Sequence, residues 1–101
     1  MVKLIALYKK PGDPASFDDH YSNVHIPITK KIPGLRKIEV TKIVGSPAGP
    51  SDYYLLCEMY YDDHEALKKA MKSEEAKASA KDLMGFAGSL VTMMIGEEAD
   101  D

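Results

Sequence analysis

Tyr53-Tyr54-Leu55-Leu56-Cys57-Glu58-Met59-Tyr60-Tyr61 reads as a β-strand with two apolar faces. Aromatic and aliphatic residues suit a pleated, buried surface, and side chains alternate across a strand with period two. Tyr53, Leu55, Cys57, Met59 and Tyr61 line one face; Tyr54, Leu56, Glu58 and Tyr60 line the other. An antiparallel sheet covered by helices on one side usually shows a polar second face. This strand does not. Residues 2–9 and 89–95 are also apolar on both faces, so the second face of the sheet requires a cover. The simplest cover is the same face of another copy, in a two-fold homodimer.

Working outward, Pro11-Gly12-Asp13-Pro14 breaks the first strand, and Asp13-Pro14 starts a helix with a capping carboxylate and a tolerated first-turn proline. Phe17, Tyr21, Val24 and Ile28 recur at helical spacing and define its expected buried face, and Pro33-Gly34 ends it. Residues 35–44 follow as a strand and 45–50 as a loop. Asp62 and Glu65 are spaced as a capping box for the next helix, whose buried stripe is Ala66, Leu67, Ala70 and Met71. Ser73-Glu74-Glu75 restarts a helical piece that ends near Gly85. The order β-α-β-β-α-β predicts an α+β, ferredoxin-like antiparallel sheet with its helices on one face. Residues 1–96 form the single domain and 97–101 an acidic tail. Two such sheets facing each other enclose an apolar space, and Glu58 is then a candidate cavity carboxylate. Its alternative is a pairing with a lysine such as Lys42, or a place at the rim.

The titratable residues concentrate in Phe17-Asp18-Asp19-His20-Tyr21-Ser22-Asn23-Val24-His25-Ile26-Pro27. Histidine titrates nearest neutrality, which suits proton transfer. On a regular helical wheel His20 and His25 fall roughly 70° to either side of the buried stripe, as separate boundary residues. A five-residue spacing is poor for joint metal ligation, and no Cys pair, carboxylate-His cluster or HExxH motif supports a metal, so no metal site is expected; no cofactor is expected either. Pro27 cannot donate a backbone bond and disfavours helical geometry at Ile26, so the helix should loosen after Val24 and re-aim His25. Tyr21 stands one turn before His25, within stacking reach. His25 therefore either handles a proton or braces the bent helix. His64 is expected to be structural.

Composition bounds the rest. The chain has 101 residues, 45% of them hydrophobic and 29% charged, which fits one globular domain. The net charge is −3, and setting aside the four acids of the tail leaves the body at +1. No basic stripe suggests nucleic acid or an anionic membrane, and no apolar run reaches the roughly 18 residues of a membrane span. The lone Cys57 suits a reducing, cytoplasmic setting as a small buried hydrophobe.

Tyr8-x-x-Pro11, Phe17-x-x-His20-Tyr21-x-x-x-His25-x-Pro27, Pro33-Gly34-Leu35 and Asp82-x-x-x-Phe86, taken in order, resemble the ethyl tert-butyl ether degradation (EthD) family. The resemblance covers essentially the whole chain. It implies a dimeric α+β barrel, a fold shared by cofactor-free monooxygenases, isomerases, decarboxylases and haem enzymes. No residue here matches a haem ligand. The resemblance also implies a role for His25, as general base of a cofactor-independent oxidoreductase or related isomerase or decarboxylase. Its substrate would be hydrophobic and enolisable or phenolic. Tyr8, Tyr21, Glu58 and Tyr60 would line the site, with Phe86 closing it. The alternative is a non-catalytic protein that sequesters a hydrophobic metabolite or supports a partner enzyme.

Overall fold

The computed structural model describes residues 1–99. Four strands, β1 (Val2–Lys9), β2 (Lys37–Lys42), β3 (Tyr53–Tyr61) and β4 (Val91–Glu97), form one sheet in the order β2-β3-β1-β4. Every neighbouring pair is antiparallel. The helical layer comprises α1 (Pro14–His20), a π-helical turn (Tyr21–His25), α2 (Ile26–Thr29), α3 (His64–Met71) and α4 (Glu74–Ala87). This is the ferredoxin-like α+β arrangement that the alternation of apolar runs and helical stripes predicts.

The helix starts follow from local chemistry. Asp13 accepts the Ser16 amide at 3.2 Å and Pro14 occupies the first turn of α1. Ser73 accepts the Ala76 amide at 3.1 Å and opens α4. The cap of α3 is Asp63, which accepts the Ala66 amide at 2.8 Å, rather than the expected Asp62. Asp62 is held instead by Arg36, with contacts of 2.9 and 2.6 Å. Gly34, at φ +83°, takes the left-handed conformation that ends the segment after α2.

Val2, Ala6 and Tyr8 of β1 and Leu55, Cys57, Met59 and Tyr61 of β3 face the helices and are buried. A register shift opposite Tyr8 and Lys9 departs from simple alternation. Tyr54, expected on the open face, instead reaches the helices: its ring meets Phe17 edge-on at 5.6 Å and its hydroxyl donates to Asp18 at 2.8 Å. The open face itself is of two kinds. Ile5, Leu7, Leu56 and Met94 make it apolar toward one end, by their register. Toward the other end Lys3 donates to Glu58 at 2.8 Å and Lys37 lies over the Tyr60 ring at 4.4 Å. At the C-terminus β4 runs through Glu97, whose carboxylate contacts His64 Nε2 at 2.6 Å, so the strand extends into the expected tail. Of that tail, Asp100 and Asp101 lie outside the described residues.

The π-turn decides what the first helical segment buries. The Ile26 amide donates to the Tyr21 carbonyl, five residues back, so this turn holds one residue more than an α-turn. Pro27, with no N–H, follows immediately. The buried stripe then runs Phe17, Tyr21, His25 and Thr29, while Val24 turns outward to 40% exposure. The expectation of Val24 on the buried face is corrected by that inserted residue.

Candidate active site

His25 stands on the last position of the π-turn and is 5% exposed. Its Nδ1 lies 2.9 Å from Asp82 Oδ2, and His20 Nε2 lies 2.8 Å from Asp82 Oδ1. The two histidines, expected to stand apart, thus share one carboxylate supplied by α4. Five residues of regular helix separate two side chains by roughly 140°. The expanded turn absorbs the extra residue and swings both rings toward α4.

The carboxylate fixes the chemistry of the buried ring. An ionised carboxylate only accepts, so Nδ1 of His25 carries the proton and Nε2 keeps its lone pair. Thr29 Oγ1 is 3.4 Å from that nitrogen but has shorter contacts: 2.7 Å to Ser79 Oγ and 3.0 Å to the His25 carbonyl. With one hydroxyl proton to give, Thr29 donates to the carbonyl and accepts from Ser79. Nε2 is left open.

The His25 side chain lines a cavity of about 250 Å³ between sheet and helices. His25, Tyr8, Thr29, Ser79 and Cys57 are on its wall, and the remaining lining is aliphatic, with Met71, Met84 and Met93 among it. Such a pocket, apolar with few convergent polar groups, is the common form of a small-molecule site. Aromatic rings fix the histidines from outside: Phe86 lies 5.2 Å from the His25 ring and 4.4 Å from that of His20, and Tyr21 lies 5.8 Å from His25.

Burial lowers the pKa of His25 below its ordinary 6.5, against the opposing pull of Asp82. The folded ring binds its second proton less readily than the unfolded one. The stability this contributes is present above pH 6.5 and is lost as the pH falls through the folded value. At neutral pH the ring is a free base. Burial also pushes the Tyr8 and Tyr21 phenols and the Cys57 thiol upward, so all three stay protonated.

Of the residues expected at the site, Tyr8 lines the His25 cavity, whereas Tyr21 and Phe86 pack against the His25 ring without lining that cavity. The structure does not bring Glu58 or Tyr60 there. Both stand on the open sheet face, where Lys3 contacts the Glu58 carboxylate at 2.8 Å and the Tyr60 hydroxyl at 3.5 Å. The cavity lies on the helix side, one residue of alternation away, and not in the space between two sheets. The proton-handling partner is Asp82 instead, a residue visible in the sequence only as the first half of Asp82-x-x-x-Phe86. The i, i+4 spacing puts those two on one helical face, and both meet the histidines.

The model of the EthD domain matches residues 9–89 of this sequence. The chain belongs to the EthD family. An EthD family protein from Bacillus halodurans, solved by crystallography, is 65% identical, with a TM-score of 0.96 over 98% of this chain and 99% of that one. An uncharacterized 11.0 kDa protein from the thcB-thcC intergenic region of Rhodococcus erythropolis is 32% identical over 97% of this chain and 95% of its own length. SnoaB, described as a cofactor-independent oxygenase from Streptomyces nogalater, is 18% identical, with a TM-score of 0.66 over 99% of this chain and 93% of its own. At that identity it shares the fold. Among the described residues of this EthD protein no helix is long and apolar enough to cross a membrane.

Proposed function

We propose that this EthD protein is a cofactor-independent enzyme that takes a proton from a compact hydrophobic substrate, with His25 Nε2 as the general base. The observation that carries the reading is a buried, Asp82-held His25 ring on the wall of an apolar cavity, with no committed donor on its Nε2. A neutral base with a depressed pKa remains deprotonated at physiological pH, and the aspartate stabilises the imidazolium as it forms. Apolar walls strengthen that electrostatic help by excluding water. The carbanion or enolate so formed is a species that dioxygen can oxidise, or that can isomerise or decarboxylate. The description of SnoaB as a cofactor-independent oxygenase supports the first outcome.

The probe 5-nitrobenzisoxazole tests the base alone. A base removes its ring C–H proton, the C–H pair completes a nitrile, and the N–O bond breaks to release a coloured cyanonitrophenolate. No oxidant or cofactor enters. The wild-type protein should turn it over with saturation and faster than an equal concentration of free imidazole. A rate no greater than free imidazole would refute the reading.

We propose further that a second copy covers the open sheet face. Ile5, Leu7, Leu56 and Met94 form a patch that a monomer would leave in water, and the ionic end beside it can pair across a two-fold axis. Light scattering at micromolar concentration should give twice the 11.1 kDa chain mass. A monomer at that concentration would contradict the dimer.

A further inference from the structure

Tyr8 is 1% exposed and lines the same cavity as His25, yet its hydroxyl has no hydrogen-bond partner among the described residues. Two other tyrosine hydroxyls, those of Tyr21 and Tyr61, also lack partners, but they are sealed in the core. That of Tyr8 opens on the cavity. Its ring is locked by edge-on contacts with Phe17 at 5.5 Å and Tyr21 at 5.7 Å, so the hydroxyl has a set direction. Burial and the nearby Asp82 charge keep it protonated, and hence a donor. A hydroxyl on a cavity wall with no acceptor from the protein is available to an acceptor on a bound ligand.

The remaining polar atoms of the wall narrow the ligand further. The Thr29 and Ser79 hydroxyls are engaged with each other and with the His25 carbonyl. Cys57 is a neutral thiol. None of the described residues lining the cavity is Lys, Arg, Asp or Glu, so nothing there would compensate a charged ligand. The site therefore offers one base and one neutral donor, in a volume of about 250 Å³ that suits a single small ligand. It lies below the about 300–1,000 Å³ of drug-sized pockets.

We infer that the Tyr8 hydroxyl is the oxyanion donor of this site, and that the substrate is a compact, uncharged carbonyl compound with an ionisable C–H beside the carbonyl. The inference rests on His25 as the base. In the step it describes, His25 Nε2 takes the C–H proton and the C–H pair forms the enolate double bond. The carbonyl π pair then moves onto oxygen, where Tyr8 donates. Charge develops at the one place where the cavity holds an unused donor, which is where a fixed hydrogen bond accelerates a reaction most.

The test uses 2-tetralone, an uncharged ketone with activated neighbouring C–H bonds, in D2O. Deuterium uptake is followed by mass spectrometry, and the carbonyl stretch of the bound ketone by infrared spectroscopy. Tyr8→Phe keeps the ring and loses no existing bond, so the unfolding midpoint should hold or rise. Its deuterium uptake should fall by about 10²-fold, as when a single oxyanion donor is removed. The carbonyl stretch should lie at lower frequency in the wild type than in the variant. Equal uptake and equal carbonyl frequency in the two proteins would overturn the assignment of Tyr8. A wild type that turns over 5-nitrobenzisoxazole but leaves 2-tetralone undeuterated would overturn the carbonyl class while leaving the base intact. A wild type inert to both probes would remove the base reading and this inference with it.

Discussion

His25→Ala is expected to lower the turnover of 5-nitrobenzisoxazole by about 10²–10⁴-fold, the usual worth of a positioned general base. The substitution removes the one open acceptor of the histidine pair that faces the cavity. Neighbours cannot replace it. His20 is tied through Asp82 on the outer side, and the Tyr8 phenol and Cys57 thiol are held protonated by burial. Asp82 keeps its bond to His20 in the variant, so α4 stays tied to the first helical segment. Asp82→Asn should give a graded result. Its amide can still accept from Nδ1 of His25, with the half-buried His20 changing tautomer to suit, but the negative charge is gone. A charge-assisted bond exceeds a neutral one by about 1–2 kcal/mol, so the rate should fall by about 5–30-fold. A His25→Ala protein that matches the wild type would place the base elsewhere.

Phe17→Ala is expected to cost about 3–5 kcal/mol of stability, read as a lowered urea midpoint at unchanged m-value. Phe17 is the centre of the aromatic wall that supports the site. Its ring meets Tyr8 at 5.5 Å, Phe86 at 5.5 Å and Tyr54 at 5.6 Å, and stacks on Tyr21 at 5.8 Å. Removing it leaves a cavity bordered by four rings from α4, the sheet and its own helical segment, and none can close the gap without leaving its other partners. Against a total stability of about 5–15 kcal/mol, the loss would unfold a sizeable share of the protein near physiological temperature. A change under about 1 kcal/mol would show that the wall is not packed as described.

The fold was legible because its signals are local and redundant. The two-sided pattern of residues 53–61, the Asp13-Pro14 start and the Ser73 restart each point to one element, and β3, α1 and α4 form where those signals stand. The site was less so. A wheel drawn at a constant 100° per residue separates His20 from His25, and only the inserted residue of the π-turn brings them to one carboxylate. Pro27 announced a loosening of the helix but not its form. Asp82 enters the sequence only through the Asp82-x-x-x-Phe86 spacing, since its role depends on what α4 packs against. The two-sided strand pattern suggests a site between two sheets, which makes Glu58 a candidate for it. The helix side of the sheet holds the cavity instead, and alternation carries Glu58 away from it. Tyr54 failed for a smaller reason, a single register shift beside Tyr8.

The central claim is that His25 is a neutral base with its proton on Nδ1 and its open Nε2 toward the cavity. Nitrogen-15 NMR of the histidine-labelled protein tests it most directly, by following each ring through pH. The account predicts that at pH 7 the His25 Nδ1 resonance is proton-coupled and the Nε2 resonance lies in the unprotonated range. The ring should titrate below 6.5, and the Nε2 signal should move when 2-tetralone is added. A proton on Nε2 at pH 7, or a His25 ring already doubly protonated there, would contradict it.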